Sequence, residues 1–428
     1  MRSTLFLIPH DVAGIPLFGV GILLACLVIL GIAWFAWSLA RKHPLSDLLA
    51  TLPVWLVAAA VVTFVLPNVE QRLADGTPLG LPIRGYGVMV LLGLLAGIGI
   101  TIHRGQQLRI AADTIIGLGF WMMLGGIVGA RLFYVVQKWN TYDHLGLTGT
   151  VVEFFKLTEG GLVIYGGVVG GLLAGAAFCF RHRLKIAATA DLIAPGFLIG
   201  LSIGRIGCLL HGCCFGGVCE ANLPAIQFPK GSGPYQSQVA SGRLLGIELR
   251  EQHAPPAVIA QVDPDSVAAQ SPIAAGEVLE NIALGYTAEL DPSKPNASPP
   301  FRAELTVSGK RLNIRSEQLP DWSLPVHPSQ IYASINALLL CLLIWQLQPL
   351  PSRDGVVFLI AILLYAVSRF LLEGVRSDEA GQLGTAFSIA QLVSMGSGVA
   401  AILGLAILSR LPPGRAWNWQ ARGEAHSH

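Results

Sequence analysis

Apolar runs long enough to cross a bilayer recur along the chain, at 16–40, 50–67, 86–103, 112–136, 161–180, 189–211, 329–348, 356–374 and 386–409. As helix, roughly 18 to 25 residues bridge about 30 Å of hydrocarbon, so the pattern predicts nine transmembrane helices. The first run, Pro16 to Ala40, is too long for a signal-peptide core and follows no basic segment beyond Arg2, which marks it as a retained span. The shortest, 50–67, also suits a re-entrant segment. Between the sixth and seventh runs lies a long polar stretch, about 216–326. Within it Leu244–Leu249, Ala257–Val262 and Lys310–Ile314 read as strands, and Asp263-Pro264-Asp265-Ser266 as a turn.

Composition sharpens this picture. Of 428 residues, 53% are hydrophobic and 13% charged, about half the ~25% charged content of soluble domains. A formal charge of +2 offers no basic field for nucleic acid, and seven cysteines in so long a chain are no disulfide scaffold. The expected fold is an all-α polytopic membrane protein with a small extracytoplasmic β-rich or α+β insert. Basic residues set its orientation. Arg41-Lys42, Arg104 with Arg109, Arg181-Arg183-Lys185, Arg353 and Arg410-Arg415-Arg422 fall on alternate loops and outnumber the basic residues opposite. That side is expected to be cytoplasmic, with the N-terminus and the 216–326 segment outside.

Arg131, Arg205 and Arg369 stand in or at the ends of apolar runs. A charge at mid-bilayer costs roughly 2.5–3.5 kcal/mol on insertion scales. Snorkelling, or pairing with Glu373, is one account; an intramembrane anion site is the other. Arginine suits a phosphodiester because its planar fork donates bidentately and stays charged. Asp113 and Asp191 sit at helix ends rather than mid-span, and no inverted repeat is apparent, so a transporter is the weaker reading.

Six strings follow in order: Ile83-Arg84-Gly85-Tyr86-Gly87, Gly129-Ala130-Arg131, Gly160 to Gly167 (GGLVIYGG), Gly204-Arg205-Ile206-Gly207-Cys208 running to His211-Gly212-Cys213-Cys214-Phe215-Gly216, His327-Pro328-Ser329-Gln330-Ile331-Tyr332, and Arg369 to Glu373 with Arg376. Together they resemble the prolipoprotein diacylglyceryl transferases of the bacterial inner membrane, over roughly 80–215 and 325–400. The resemblance implies transfer of diacylglyceryl from phosphatidylglycerol to a preprolipoprotein lipobox cysteine, with release of glycerol phosphate and no cofactor. It implies catalytic roles for Arg205, Arg369, Tyr165 and His327. Substrate contacts would come from Tyr86, Arg131, Glu373, Arg376, Gly166, Gly167, Ser329 and Gln330. It divides the chain into two extra N-terminal helices (1–79), a first membrane core (80–219), an outer head (220–326), a second core (327–410) and a cytoplasmic tail (411–428).

Three positions depart from the better-known members: Tyr165 stands for a histidine proposed as general base, Cys208 for an asparagine and Cys213 for a glutamate. Tyrosine titrates at about pH 10 in isolation and is a weak base at neutral pH, which leaves His327 and His211 as alternatives. Cys208, Cys213, Cys214 and Cys219 with His211 lack the paired spacing of a zinc site, and adjacent Cys213 and Cys214 cannot both face one ion without strain. No metal is expected. Small-residue packing is the default for this cluster; a disulfide from Cys213 or Cys214 to Cys219, or a nucleophilic cysteine, are the alternatives. For Gly166 and Gly167 close helix packing competes with a ligand role.

The head is longer than the family's usual outer segment. Residues 240–318 resemble a PDZ-like module, which binds extended peptides along a sheet edge, so a periplasmic peptide or protein is a candidate partner there. The competing overall reading is a non-catalytic family paralogue that binds anionic lipid and presents this module.

Overall fold

The computed structural model describes residues 4–41, 44–72, 76–139, 161, 163–219, 224–250, 255–286, 301–376, 385, 387–417 and 419. Lys42, Gly160, Leu162 and Arg422, used in the sequence reading, lie outside these. Nine helices among the described residues are long and apolar enough to span a membrane. They are α1 (Ile22–Ala40), α2 (Leu45–Ala60, continuing through a π-helical turn Val61–Val65 to Val69), α3 (Gly85–Gln107), α4 (Ala112–Gln137), α5 (Ile164–Arg181), α6 (Ile186–His211), α8 (Ser329–Leu347), α9 (Val356–Glu373) and α10 (Ile389–Arg410). This is a multi-pass membrane protein. In hydrocarbon a segment must satisfy its own backbone hydrogen bonds, and helix does so within each span.

The first span starts later than its apolar run. Pro16 pairs with Asp11 in a small hairpin, β2 (Asp11–Val12) with β3 (Ile15–Pro16), and Gly19 is left-handed at φ +71°. A side chain on Gly21 would collide with the Pro16 carbonyl, so helix begins only at Ile22. The 50–67 run is helical over Thr51–Val69, a full span in length rather than a short re-entrant piece.

The chain divides into two structural units: 1–87, 210–212 and 227–324 form one, and 88–209, 213–226 and 325–428 the other. The first contains a three-stranded antiparallel sheet in which β5 (Pro78–Arg84) lies between β1 (Thr4–Pro9) and β4 (Gln71–Arg72). It also holds a head built as a five-stranded antiparallel meander: β6 (Ile247–Leu249), β7 (Ala257–Val262), β8 (Val278–Tyr286), β9 (Phe301–Val307) and β10 (Lys310–Ile314) in spatial order. The expected strand at 244–249 is only half formed. Arg243–Leu245 is a 3-10 turn, because Gly242 and Gly246 flank it in left-handed conformations. The core of the head includes Leu245, Ile259, Leu279 and Leu305, with Tyr235 and Val239 from the short helix α7 (Gly233–Ala240). The 240 boundary of the PDZ-like segment thus falls inside this core.

In the second unit α6 is the most enclosed span, half buried over its most apolar window. Ala194 and Leu198 of α6 pack with Cys341 and Ile344 of α8 and Val357 and Ala361 of α9. Gly97 of α3 and Gly196 of α6 meet backbone to backbone: a Cβ on Gly97 would lie 2.6 Å from the Gly196 oxygen. Asp191 of α6 accepts hydrogen bonds from the N–H groups of Gly355 (2.7 Å) and Phe358 (2.8 Å), supplying the negative charge that a helix N-terminus favours at the start of α9. Arg104, counted among the loop cations, is buried: it donates to the Gln348 side chain at 2.8 Å and stacks over Trp345.

Candidate active site

Three sequence-distant segments meet in the second unit. The loop after α6 is hydrogen-bonded to the segment before α8 through Gly216 N–H to His327 O (3.1 Å), His327 N–H to Gly217 O (3.0 Å) and Cys219 N–H to Pro325 O (2.8 Å). The same loop reaches the end of α9 through Gly217 N–H to Val375 O (3.1 Å) and the Gly216–Arg376 bridge. These contacts join the strings around Arg205, His327 and Arg369.

On α9, Arg369 and Glu373 stand one turn apart and form an ion pair of 2.5 Å. Arg376 approaches the same carboxylate at 3.4 Å. The Ser388 hydroxyl, which caps α10 in a reciprocal box with Gln391, donates to Glu373 Oε1 at 3.1 Å. Glu373 is buried, as the two guanidiniums and the hydroxyl require of a carboxylate removed from water. On α6, Arg205 interacts electrostatically with Tyr365, which precedes Arg369 by one turn of α9. Arg205 and Arg376 both act electrostatically on Cys214. This neighbourhood gathers three guanidiniums, those of Arg205, Arg369 and Arg376. Such a cluster suits an anionic ligand.

Ser329 and Gln330 hold the loop. The Ser329 hydroxyl donates to the Cys214 carbonyl (2.6 Å) and the Gln330 amide to that of Cys213 (2.7 Å). Both are buried, and Gln330 Oε1 has no partner among the described residues. His327 is half-buried, its Cβ against Gly216. Cys208, Cys213 and Cys214 lie together, and all seven cysteines are free, so the alternative disulfide to Cys219 is not formed. Hydrogen bonds from the Cys208 and Cys213 thiols, with Arg376 and Arg205 nearby, hold the Cys214 thiol well below the usual thiol range. Bonding to Cys208 and Cys214 pushes Cys213 up.

Arg131 of α4 is buried and donates to the Gly161 carbonyl at 3.1 Å, its guanidinium 5.3 Å from the Tyr134 ring centre. Gly166 packs: a side chain there would collide with the Gly129 carbonyl and Phe133. At Gly167 the nearest atom to an added Cβ is 3.5 Å away, so packing does not require glycine. Tyr165 stands in the first turn of α5, about a third exposed. Tyr86 belongs to the first unit, its exposed ring 6.1 Å from that of His211. Tyr365 and Ser388 were absent from the sequence reading. Tyr365 had a signal in its four-residue spacing from Arg369, and Ser388 in its S-x-x-Q cap.

The description of the matching family model is prolipoprotein diacylglyceryl transferase, and it matches residues 77–407. This chain belongs to that family. Among curated relatives, the phosphatidylglycerol–prolipoprotein diacylglyceryl transferase of Rhodopirellula baltica is 36% identical over 435 residues, covering 92% of this chain and 87% of the relative. A second protein so named from Clostridium perfringens is 31% identical over 38% of this chain and 61% of itself. The corresponding protein of Gloeobacter violaceus is 34% identical over 34% of this chain and 52% of itself. Arg205, Arg369, Glu373 and Arg376 of the cluster described above all fall within the matched residues.

Proposed function

We propose that this chain transfers the diacylglyceryl group of phosphatidylglycerol to the lipobox cysteine of preprolipoproteins. The observation that carries the reading is the gathering of Arg205, Arg369 and Arg376 in one neighbourhood, where Arg369 and Arg376 share Glu373 and where Arg205 and Arg376 both act on Cys214. The reaction needs such a field. Sulfur attacks the glyceryl carbon, a C–S bond forms, and the C–O bond to phosphate breaks with its electron pair leaving on oxygen. The phosphodiester monoanion thereby departs as glycerol phosphate with one more negative charge, which preorganised cations stabilise as it develops. Arg205 and Arg369 act on that charge, Glu373 orients Arg369, and Arg376 adds a substrate contact. Tyr165 and His327 are the candidates to take the thiol proton. Tyr86, Arg131, Gly166 and Gly167 complete the proposed lipid and peptide contacts, and Ser329 and Gln330 fix the loop beside them. The reading sets the protein in the bacterial inner membrane, N-terminus and head outside, C-terminus in the cytoplasm. Capture of an extended peptide at an edge strand of the head, β6 or β10, belongs to the same proposal.

A transfer assay in detergent, with phosphatidylglycerol and a lipobox peptide, tests it by peptide mass and glycerol phosphate release. The diacylglyceryl mass gain is expected with the unaltered chain. It should fall at least ~100-fold in Arg205→Ala, the scale of removing one donor to developing charge, and less in Tyr165→Phe. No mass gain from folded protein overturns the reading; Tyr165→Phe as inactive as Arg205→Ala makes the tyrosine the base.

A further inference from the structure

The proposed transfer assigns no step to the thiols of the turn that follows α6. Cys208 lies in the last turn of α6, Cys213 and Cys214 follow Gly212, and their three Sγ atoms all lie within 4.8 Å of one another. Neighbouring residues in regular backbone direct their side chains apart, so two adjacent cysteines reach one point only where the chain bends. Here it does. Cys214 is left-handed at φ +57°, a conformation rare for residues with a Cβ, and Gly212 precedes it at φ +79°.

The surroundings hold this turn in place. Cys213 N–H bonds to Cys208 O at 3.1 Å, Ser329 holds the Cys214 carbonyl and Gln330 that of Cys213. Backbone strain of this kind persists only where neighbouring groups over-determine it, and it collects at functional sites. The strain that argues against a shared ion in the sequence is present in the fold and is supported there. All three thiols are free, and among the described residues no carboxylate or imidazole completes the set.

We propose that Cys208, Cys213 and Cys214 form a three-coordinate thiolate site for a soft monovalent d10 cation, Cu(I). Three sulfurs without oxygen or nitrogen exclude calcium and magnesium, and zinc in structural sites takes a fourth ligand. Metal–sulfur bonds of about 2.3 Å put trigonal ligands about 4 Å apart, so the cluster closes on an ion by a sub-ångström adjustment. On binding, three Cu–S bonds form, and each sulfur still protonated breaks its S–H bond and loses that proton to solvent. Copper keeps its oxidation state, and the product carries two negative charges beside Arg205 and Arg376. Nothing in this inference depends on the transfer reaction.

The test uses full-length protein in detergent, reduced and anaerobic, titrated with Cu(I) against bicinchoninate. One equivalent should bind. X-ray absorption of the loaded protein should give three sulfurs at about 2.3 Å. Cys213→Ser should weaken binding at least 100-fold, whereas Cys26→Ser, a change in α1, should leave it intact. Equal binding by Cys213→Ser, a shell with nitrogen or oxygen ligands, or preference for Zn(II) over Cu(I) in a parallel titration each overturns the assignment. The absorption measurement requires no variant, so it decides the matter even if Cys213→Ser does not fold.

Discussion

Glu373 holds two arginines in place with one carboxylate, and its burial makes that pairing indispensable. Removing one partner of a buried pair costs about 3–5 kcal/mol, mostly because the charge left behind has lost its compensation. Glu373→Gln keeps the shape and still accepts from Ser388, yet it leaves Arg369 and Arg376 without their shared counter-charge. The variant should lose about 3 kcal/mol in a detergent unfolding titration, and its transfer rate should fall with Arg369 misoriented. Stability equal to the parent would mean that Glu373 is not the group holding this cluster. The Arg369–Glu373 contact was legible beforehand, since residues four apart share a helix face. The contact of Arg205 with Tyr365 was not, because it depends on how α6 and α9 are rotated about their axes. Spans that are apolar on every face carry little sequence signal for rotation.

Helix pairing in the second unit depends on missing side chains. Gly129 and Gly125 on α4 face Gly166 and Gly170 on α5 so closely that a Cβ at Gly166 or Gly170 would collide with a backbone carbonyl opposite. Small residues at such positions let helices approach where no hydrophobic drive separates protein from lipid. Gly166→Ala should therefore cost at least ~2 kcal/mol, the scale of overpacking, and lower the thermal midpoint in detergent. Gly167→Ala, with 3.5 Å to spare, should fold as the parent does. A transfer defect in well-folded Gly167→Ala would then report a ligand at that glycine. The spans were legible to within a few residues because hydropathy and bilayer thickness fix their length. The sheet pairing β1 with β5 was not: Thr4–Pro9 and Pro78–Arg84 are too short and too far apart in sequence to announce each other.

At the scale of the molecule, the residues proposed for the reaction are divided along the chain. Arg205 and the cysteine turn precede the head, whereas His327, Arg369 and Glu373 follow it. The head was legible as an insertion between the sixth and seventh spans, but its extent was not, because Tyr235 and Val239 of α7 enter its core from a segment that resembles an ordinary loop. Its last two strands are joined at Ser308 and Gly309, both left-handed, with Val307 paired to Lys310 across the turn. A gene cut between these two codons gives halves, 1–308 and 309–428, that each keep complete helices and one of the two arginines proposed to act on the phosphate. Neither should rescue a strain lacking the transferase, whereas co-expression of both should, through strand pairing and the seam from Gly216 to His327 and Arg376. The hairpin turn is thus the place where the enzyme is expected to divide into two complementing genes, each inert until its counterpart is made.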